Sequence, residues 1–322
     1  MTTALVLGAG GTVGMAYHTG VLRALEEVGG FRPDDADLIV GTSAGSMIGA
    51  MIRSGLSTED LWLAGIGEHP DLELTREGES LFAAAWNGPA DAIRRIVGSL
   101  YVLQRSAMRL PIPMPHLPAS LRRLFPGGFF TIAEAEETLS EVMGTEWPDK
   151  PLWLVTVDVR TGRRVVLGRR NPVRTDLQTA VLASCAIPAF FQPMRVGRRT
   201  LVDGGVHSTT NLDLTTKISP DVVIGVVPMA FDPAHPPSGL GLAIRGVAQR
   251  SLVREVTQAR NAGSRVLLLR PTRDDLQAMG GNMMRSDGNE RVSRVAFDSA
   301  AAQLDTPRAR EVLAQARSVA PA

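Results

Sequence analysis

Three short stretches hold the groups that could do chemistry. Gly41-Thr42-Ser43-Ala44-Gly45 fits G-x-S-x-G, the turn that lifts a serine hydroxyl above the end of a strand while small neighbours relieve its crowding. Ser43 is its candidate nucleophile, and the start of the helix that follows would favour a developing oxyanion. The same turn also reads as a plain helix cap on Ser43 or Thr42. Gly8-Ala9-Gly10-Gly11-Thr12-Val13-Gly14 admits three readings: a tight turn, a phosphate cradle, or an oxyanion hole built from the N–H groups of Gly10 and Gly11. The dinucleotide fingerprint G-x-G-x-x-G is broken at Val13, and the second strand runs into Gly41-Thr42 where a ribose-binding acid would stand. Leu201-Val202-Asp203-Gly204-Gly205 sets an acid after an apolar pair, and taken alone it reads as an Asp-Gly hairpin turn.

A serine needs a base, and the usual one is histidine. His18 lies inside a helical stretch, His69 and His116 sit beside prolines, and His235 lies in Pro233-Ala234-His235-Pro236-Pro237. These read as surface or packing residues, and His207 carries no signature either. Cys185 sits among Ala183, Ala186 and Ile187 with no basic group to activate it, so it reads as a small packed residue. No Cys or His pair has ligand spacing, and Asp34, Asp35 and Asp37 read as a solvated loop, so neither a metal nor another cofactor is expected.

The elements that must hold these residues follow from hydrophobic periodicity. Ala4–Leu7 and Ala36–Val40 are apolar runs of buried-strand length, and Met15–Val28 and Ser46–Arg53 have helical spacing, giving two strand–loop–helix units at the start. Residues 57–130 are mostly helical, interrupted by Asn87-Gly88-Pro89 and by a proline-rich piece at 111–118, and they read as a helical cap or insertion. Strand signals resume at Leu152–Val159, Val165–Leu167, Val222–Val227 and Val266–Leu269, with helical stretches near Thr175–Ala183 and Ala243–Arg260. Arg291–Ala320 reads as one surface helix. The alternation implies an α/β sheet, and residues 1–322 read as one large domain.

The glycine loop, the serine turn and Asp203-Gly204-Gly205, in that order, resemble the patatin-like phospholipase family. Ala183-Ser184-Cys185-Ala186-Ile187-Pro188-Ala189-Phe190-Phe191-Gln192-Pro193 is similar to the family's A-S-x-A-x-P-x-x-F-x-P stretch before its D-G-G. The resemblance implies a three-layer α/β/α sandwich with a mainly parallel central sheet. It implies a serine acyl hydrolase of the phospholipase or lipid esterase type, with Ser43 as nucleophile, Asp203 as base, and Gly10, Gly11 and Thr12 forming the oxyanion hole. Val13 departs from the family, where an Arg or Lys commonly precedes the last glycine of the loop. The alternatives are an α/β-hydrolase with a Ser-His-Asp triad, and a non-catalytic lipid- or nucleotide-binding protein.

Composition sets the outer bounds. Lys and Arg number 34 against 33 Asp and Glu, which removes any global electrostatic case for nucleic acid. A single cysteine excludes an intrachain disulfide and agrees with a cytoplasmic setting. The N-terminus has neither a basic segment nor an apolar stretch of membrane-spanning length, so membrane contact is expected to be peripheral. Tyr101–Phe130 mixes apolar residues with Arg105, Arg109, Arg122 and Arg123 and could be a lipid-facing lid or a packed cap. Trp62, Leu63, Leu81, Phe82 and Trp86 are candidate walls for an acyl chain.

Overall fold

The computed structural model describes residues 1–72, 83–84, 88–106, 127–128, 130–131, 139, 142–169, 173–285 and 287–317. The fold is mixed α/β. The described strands are β1 (Thr3–Leu7), β2 (Leu38–Gly41), β3 (Ala83–Ala84), β4 (Phe130–Thr131), β5 (Leu152–Asp158), β6 (Arg163–Leu167), β7 (Met194–Val196), β8 (Arg199–Asp203), β9 (Val222–Val226) and β10 (Arg265–Leu269). The described helices are α1 (Gly11–Glu27), α2 (Ala44–Arg53), α3 (Thr58–Gly65), α4 (Gly88–Ser106), α5 (Leu177–Cys185), α6 (Gly239–Asn261), α7 (Arg273–Met279), α8 (Asn289–Leu304) and α9 (Pro307–Arg317). They fall into two compact units. The first comprises Met1–Gly78, Pro148–Trp153 and Ser208–Ala322, and the second comprises Glu79–Trp147 and Leu154–His207.

In the first unit four parallel strands run in the order β10-β9-β1-β2. Every residue of β1, β2 and β9 is buried. Successive side chains point to opposite faces, so both faces of the sheet are covered, which is why these strands read as unbroken apolar runs. The register pairs Leu7 with Gly41 on one side and with Val226 on the other. β1, β2 and β9 therefore end level, and their exit loops leave the same edge. The strand order also reverses at β1, and the carboxyl edge at such a reversal is where open α/β sheets form their ligand crevices.

α1 is clamped against its neighbours by its smallest residues. A Cβ on Gly20 would lie 2.1 Å from the Ser293 carbonyl oxygen, and the Ser293 hydroxyl donates to the Ala16 carbonyl at 3.0 Å. The single surface helix expected at 291–320 is corrected here. Thr306-Pro307 breaks it into α8 and α9, since the residue before proline disfavours helix and proline suits the first helical turn. Val292, Ala296, Ala300 and Leu304 recur every four residues and are buried, as are Ala309, Val312 and Leu313. The helix pair is thus part of the core, a role its alanines disguise in sequence.

The second unit pairs its strands antiparallel. β6 and β8 flank β5, β7 pairs with β8, and β3 pairs with β4. Gly197, with φ 58°, turns the chain between β7 and β8. The expected helix near Thr175–Ala183 is α5, capped by Asp176, whose carboxylate accepts from the Thr179 N–H at 2.6 Å. Most of the Tyr101–Phe130 segment, together with Leu81, Phe82 and Trp86, lies outside the described residues.

Candidate active site

The serine turn is built by β2, α2 and the end of β1. Thr42 N–H donates to the Leu7 carbonyl at 3.0 Å, Ser43 adopts φ 54° and ψ −121°, and α2 begins at Ala44. A serine at positive φ carries strain of about 1–3 kcal/mol, the mark of the strained strand-to-helix elbow. The two glycines are steric requirements of this turn. A Cβ on Gly41 would meet Ser46 Cα at 2.6 Å, and one on Gly45 would meet the Leu7 carbonyl oxygen at 2.1 Å. The capping alternative fails, because the Ser43 side chain makes no capping bond to α2. Ser43 is 4% exposed.

The glycine loop leaves β1 beside this turn. Gly8 N–H donates to the Val226 carbonyl at 2.9 Å and Ala9 N–H to the Thr209 carbonyl at 2.7 Å. Val13 N–H donates to the Met283 carbonyl and Gly14 N–H to that of Gly10. Among the described residues, no acceptor meets the N–H groups of Gly10, Gly11 and Thr12. These amides open α1, where the helix dipole also favours negative charge. Gly11 has φ 62°, and a Cβ there would lie 2.4 Å from the Met283 carbonyl oxygen. The Thr12 hydroxyl is already committed, donating to the carbonyls of Arg285 at 2.6 Å and Met283 at 3.3 Å, so only its amide remains for an anion. Val13 is fully buried, which makes this position a core site in place of a surface cation.

His18 lies under the loop. Its Nε2 hydrogen-bonds the Gly8 carbonyl at 2.8 Å, and burial lowers its pKa to about 4. The ring is therefore neutral at pH 7, with Nε2–H as donor and a buried Nδ1 that has no partner among the described residues. Sequence reasoning placed His18 as packing, and missed that it holds the backbone of the loop. Elsewhere in this unit, His69 Nδ1 accepts from the Leu72 N–H at 2.8 Å and exposed His235 sits near Asp232. His116 lies outside the described residues.

Asp203 belongs to the second unit, at the end of β8. It is 3% exposed, its N–H donates to the Ala186 carbonyl at 2.9 Å, and its Oδ1 accepts from the Gly205 N–H at 2.6 Å. A Cβ on Gly204 would meet the Val155 carbonyl oxygen at 2.5 Å, so the first glycine of D-G-G serves a close approach. No Asp-Gly hairpin forms: the chain enters a short 3-10 turn at Gly204–Val206. Cys185 is half-buried, and its thiol is pushed well above its usual range by desolvation and then by the Asp203 charge. Among the described residues, no group of His, Cys, Asp and Glu is arranged to hold a metal ion.

The molecule is thus a mixed α/β protein with a strained serine turn and a donor-rich glycine loop leaving adjacent parallel strands. The chain belongs to the Patatin-like phospholipase family, which matches residues 5–216. It is 28% identical over 238 residues to YqhO of Bacillus subtilis, covering 69% of each chain. It is also 28% identical over 227 residues to an NTE family protein of Mycobacterium bovis, covering 69% of this chain and 48% of that one. The chain thus spans about half the length of this mycobacterial relative. Among solved structures, VipD from Legionella pneumophila aligns with a TM-score of 0.45 at 12% identity, over 94% of this chain and 66% of that one. Family membership supports a lipid hydrolase. No helix among the described residues is long and apolar enough to cross a membrane.

Proposed function

We propose that the chain is a serine acyl hydrolase acting on phospholipids or other lipid esters. The observation that carries this reading is the strained Ser43 turn on β2, level with the amides of Gly10, Gly11 and Thr12 at the exit of β1, which meet no acceptor among the described residues. In this mechanism Ser43 Oγ attacks the ester carbonyl carbon while the Asp203 carboxylate takes its proton. The carbonyl oxygen gains negative charge and accepts from the amides of Gly10, Gly11 and Thr12. Asp203 returns the proton to the departing alcohol, leaving an acyl-serine. Water, deprotonated by Asp203, then releases the fatty acid and restores Ser43. An ordinary aspartate is a weak base for serine, so oxyanion stabilisation must supply much of the acceleration. Membrane contact is peripheral in this reading, through the 101–130 segment.

The test is fluorophosphonate labelling and hydrolysis of a short p-nitrophenyl ester by wild type, Ser43→Ala, Asp203→Asn and the double variant. Each single change is expected to lower kcat by about 10⁴ or more, with the double variant little worse, since the two groups act as one unit. Wild-type rates in Ser43→Ala, or fully additive losses, would refute the reading.

A further inference from the structure

Glu255 is a buried carboxylate that the proposed mechanism does not use. It projects from α6, is 7% exposed, and lies outside the residues 5–216 that match the family. Its Oε2 accepts from the Thr210 hydroxyl at 2.6 Å and from the Leu212 N–H at 2.7 Å. A carboxylate is acceptor-only and suits a segment that turns two donors toward it. Its burial has a desolvation cost that a merely space-filling contact would avoid, and that cost shows as a pKa raised by burial against the lowering effect of the bonds.

The segment it holds, Ser208–Leu212, is tightly folded. Ser208 Oγ accepts from the amides of Thr210 and Asn211, both at 3.2 Å, and Asn211 sits in the left-handed region at φ 52°. The segment is also bonded to both the glycine loop and the serine turn. The Thr209 carbonyl accepts the Ala9 N–H at 2.7 Å, one residue before Gly10. Asn211 Nδ2 donates at 3.1 Å to the hydroxyl of Thr42, one residue before Ser43, and at 2.6 Å to the Ser208 carbonyl. The geometry points to Glu255 as a positioning residue that, through Ser208–Leu212, fixes the serine turn and the glycine loop relative to each other. This rests on the reading of Ser43 as nucleophile.

The experiment uses the full chain with Glu255→Ala, Glu255→Gln, Thr42→Val and the Glu255→Ala/Thr42→Val double variant. The measurements are the second-order rate of fluorophosphonate labelling at Ser43, kcat and KM on a p-nitrophenyl ester, Tm, and hydrogen exchange of the Ala9 amide. Glu255→Ala is expected to slow labelling and kcat by about 10–100-fold with KM little changed, since small misplacements of reacting groups have effects of this size. Loss of the anchoring bonds should speed Ala9 exchange about tenfold. Glu255→Gln keeps an acceptor oxygen and should recover much of both. The double variant should label no more slowly than the slower single, because both act along one chain of bonds. Unchanged Ala9 exchange in Glu255→Ala, labelling losses matched by the fraction unfolded, or additive effects in the double variant would overturn the proposal. If wild type neither labels nor hydrolyses while Glu255→Ala still speeds Ala9 exchange, the hydrolase reading falls and the anchoring role stands.

Discussion

His18 should make the stability of the glycine loop depend on pH in a calculable way. The unfolded chain protonates this imidazole near its ordinary value of 6.5, whereas the native ring resists until about 4. Protonation would place a second N–H on Nδ1, which is buried and has no partner among the described residues. Between these two values the unfolded state binds more protons, so native stability falls as the pH drops through this window. The full gap is about 3 kcal/mol, of which about 2 kcal/mol is lost between pH 7 and pH 5. Glu255 and Asp275 act in the opposite sense, because burial raises both carboxyls and their protonation in acid favours the native state. Comparison with His18→Gln isolates the imidazole, since glutamine can still donate to the Gly8 carbonyl but does not titrate. In urea denaturation, wild type should lose about 2 kcal/mol more than the variant on going from pH 7 to pH 5. Equal pH dependences would show that the native ring titrates normally and would refute the buried neutral assignment.

Other outcomes follow from the geometry. Gly11→Ala must hold φ 62° and place a methyl 2.4 Å from the Met283 carbonyl oxygen, so kcat should fall by about 10²–10³ with a smaller change in KM; a change confined to KM would make the loop a binding element. Gly45→Ala drives a methyl against the Leu7 carbonyl oxygen at 2.1 Å and should be destabilised by about 3 kcal/mol in urea, and wild-type stability would contradict the tight turn. Cys185→Ala should leave hydrolysis unchanged and wild type should react slowly with thiol reagents at pH 7, because burial holds the thiol protonated; rapid modification would contradict this.

The sequence reveals those features whose causes are local. A doubly covered parallel strand needs an unbroken apolar run, and Ala4–Leu7 shows one; a strained serine turn needs small flanking residues, and Gly41 and Gly45 supply them. Asp203-Gly204 misleads when read alone, because an Asp-Gly pair looks the same whether it makes a hairpin or packs its glycine on a neighbouring strand. The anchoring residues are invisible for a related reason. Glu255 follows Arg254 on a helix rich in polar residues, and its partners Thr210 and Leu212 lie more than forty positions away. The Met283 and Arg285 carbonyls that receive Thr12 and Val13 are backbone groups, which no residue type advertises. A hint lies in the polar run Ser208-Thr209-Thr210-Asn211, separated from D-G-G by Val206 and His207. Four hydrogen-bonding side chains between strand-like segments need partners if they are buried.

The strain at Ser43 accounts for the buried polar contacts gathered around it. A non-glycine residue relaxes to negative φ unless its surroundings over-determine the conformation, at a cost of about 1–3 kcal/mol. Here three restraints meet on the turn: the Thr42 N–H is tied to Leu7, the Thr42 hydroxyl accepts from Asn211, and Gly45 packs its Cα against the Leu7 carbonyl. A typical hydrogen bond contributes a net 0.5–1.5 kcal/mol or so, about the size of the strain itself, so losing one could free the backbone without unfolding the sheet. Relaxation would swing Oγ away from its position above β2. Substitutions at Thr42 and Asn211 should therefore cost reactivity at Ser43 out of proportion to stability, whereas substitutions inside β1 should lower both together.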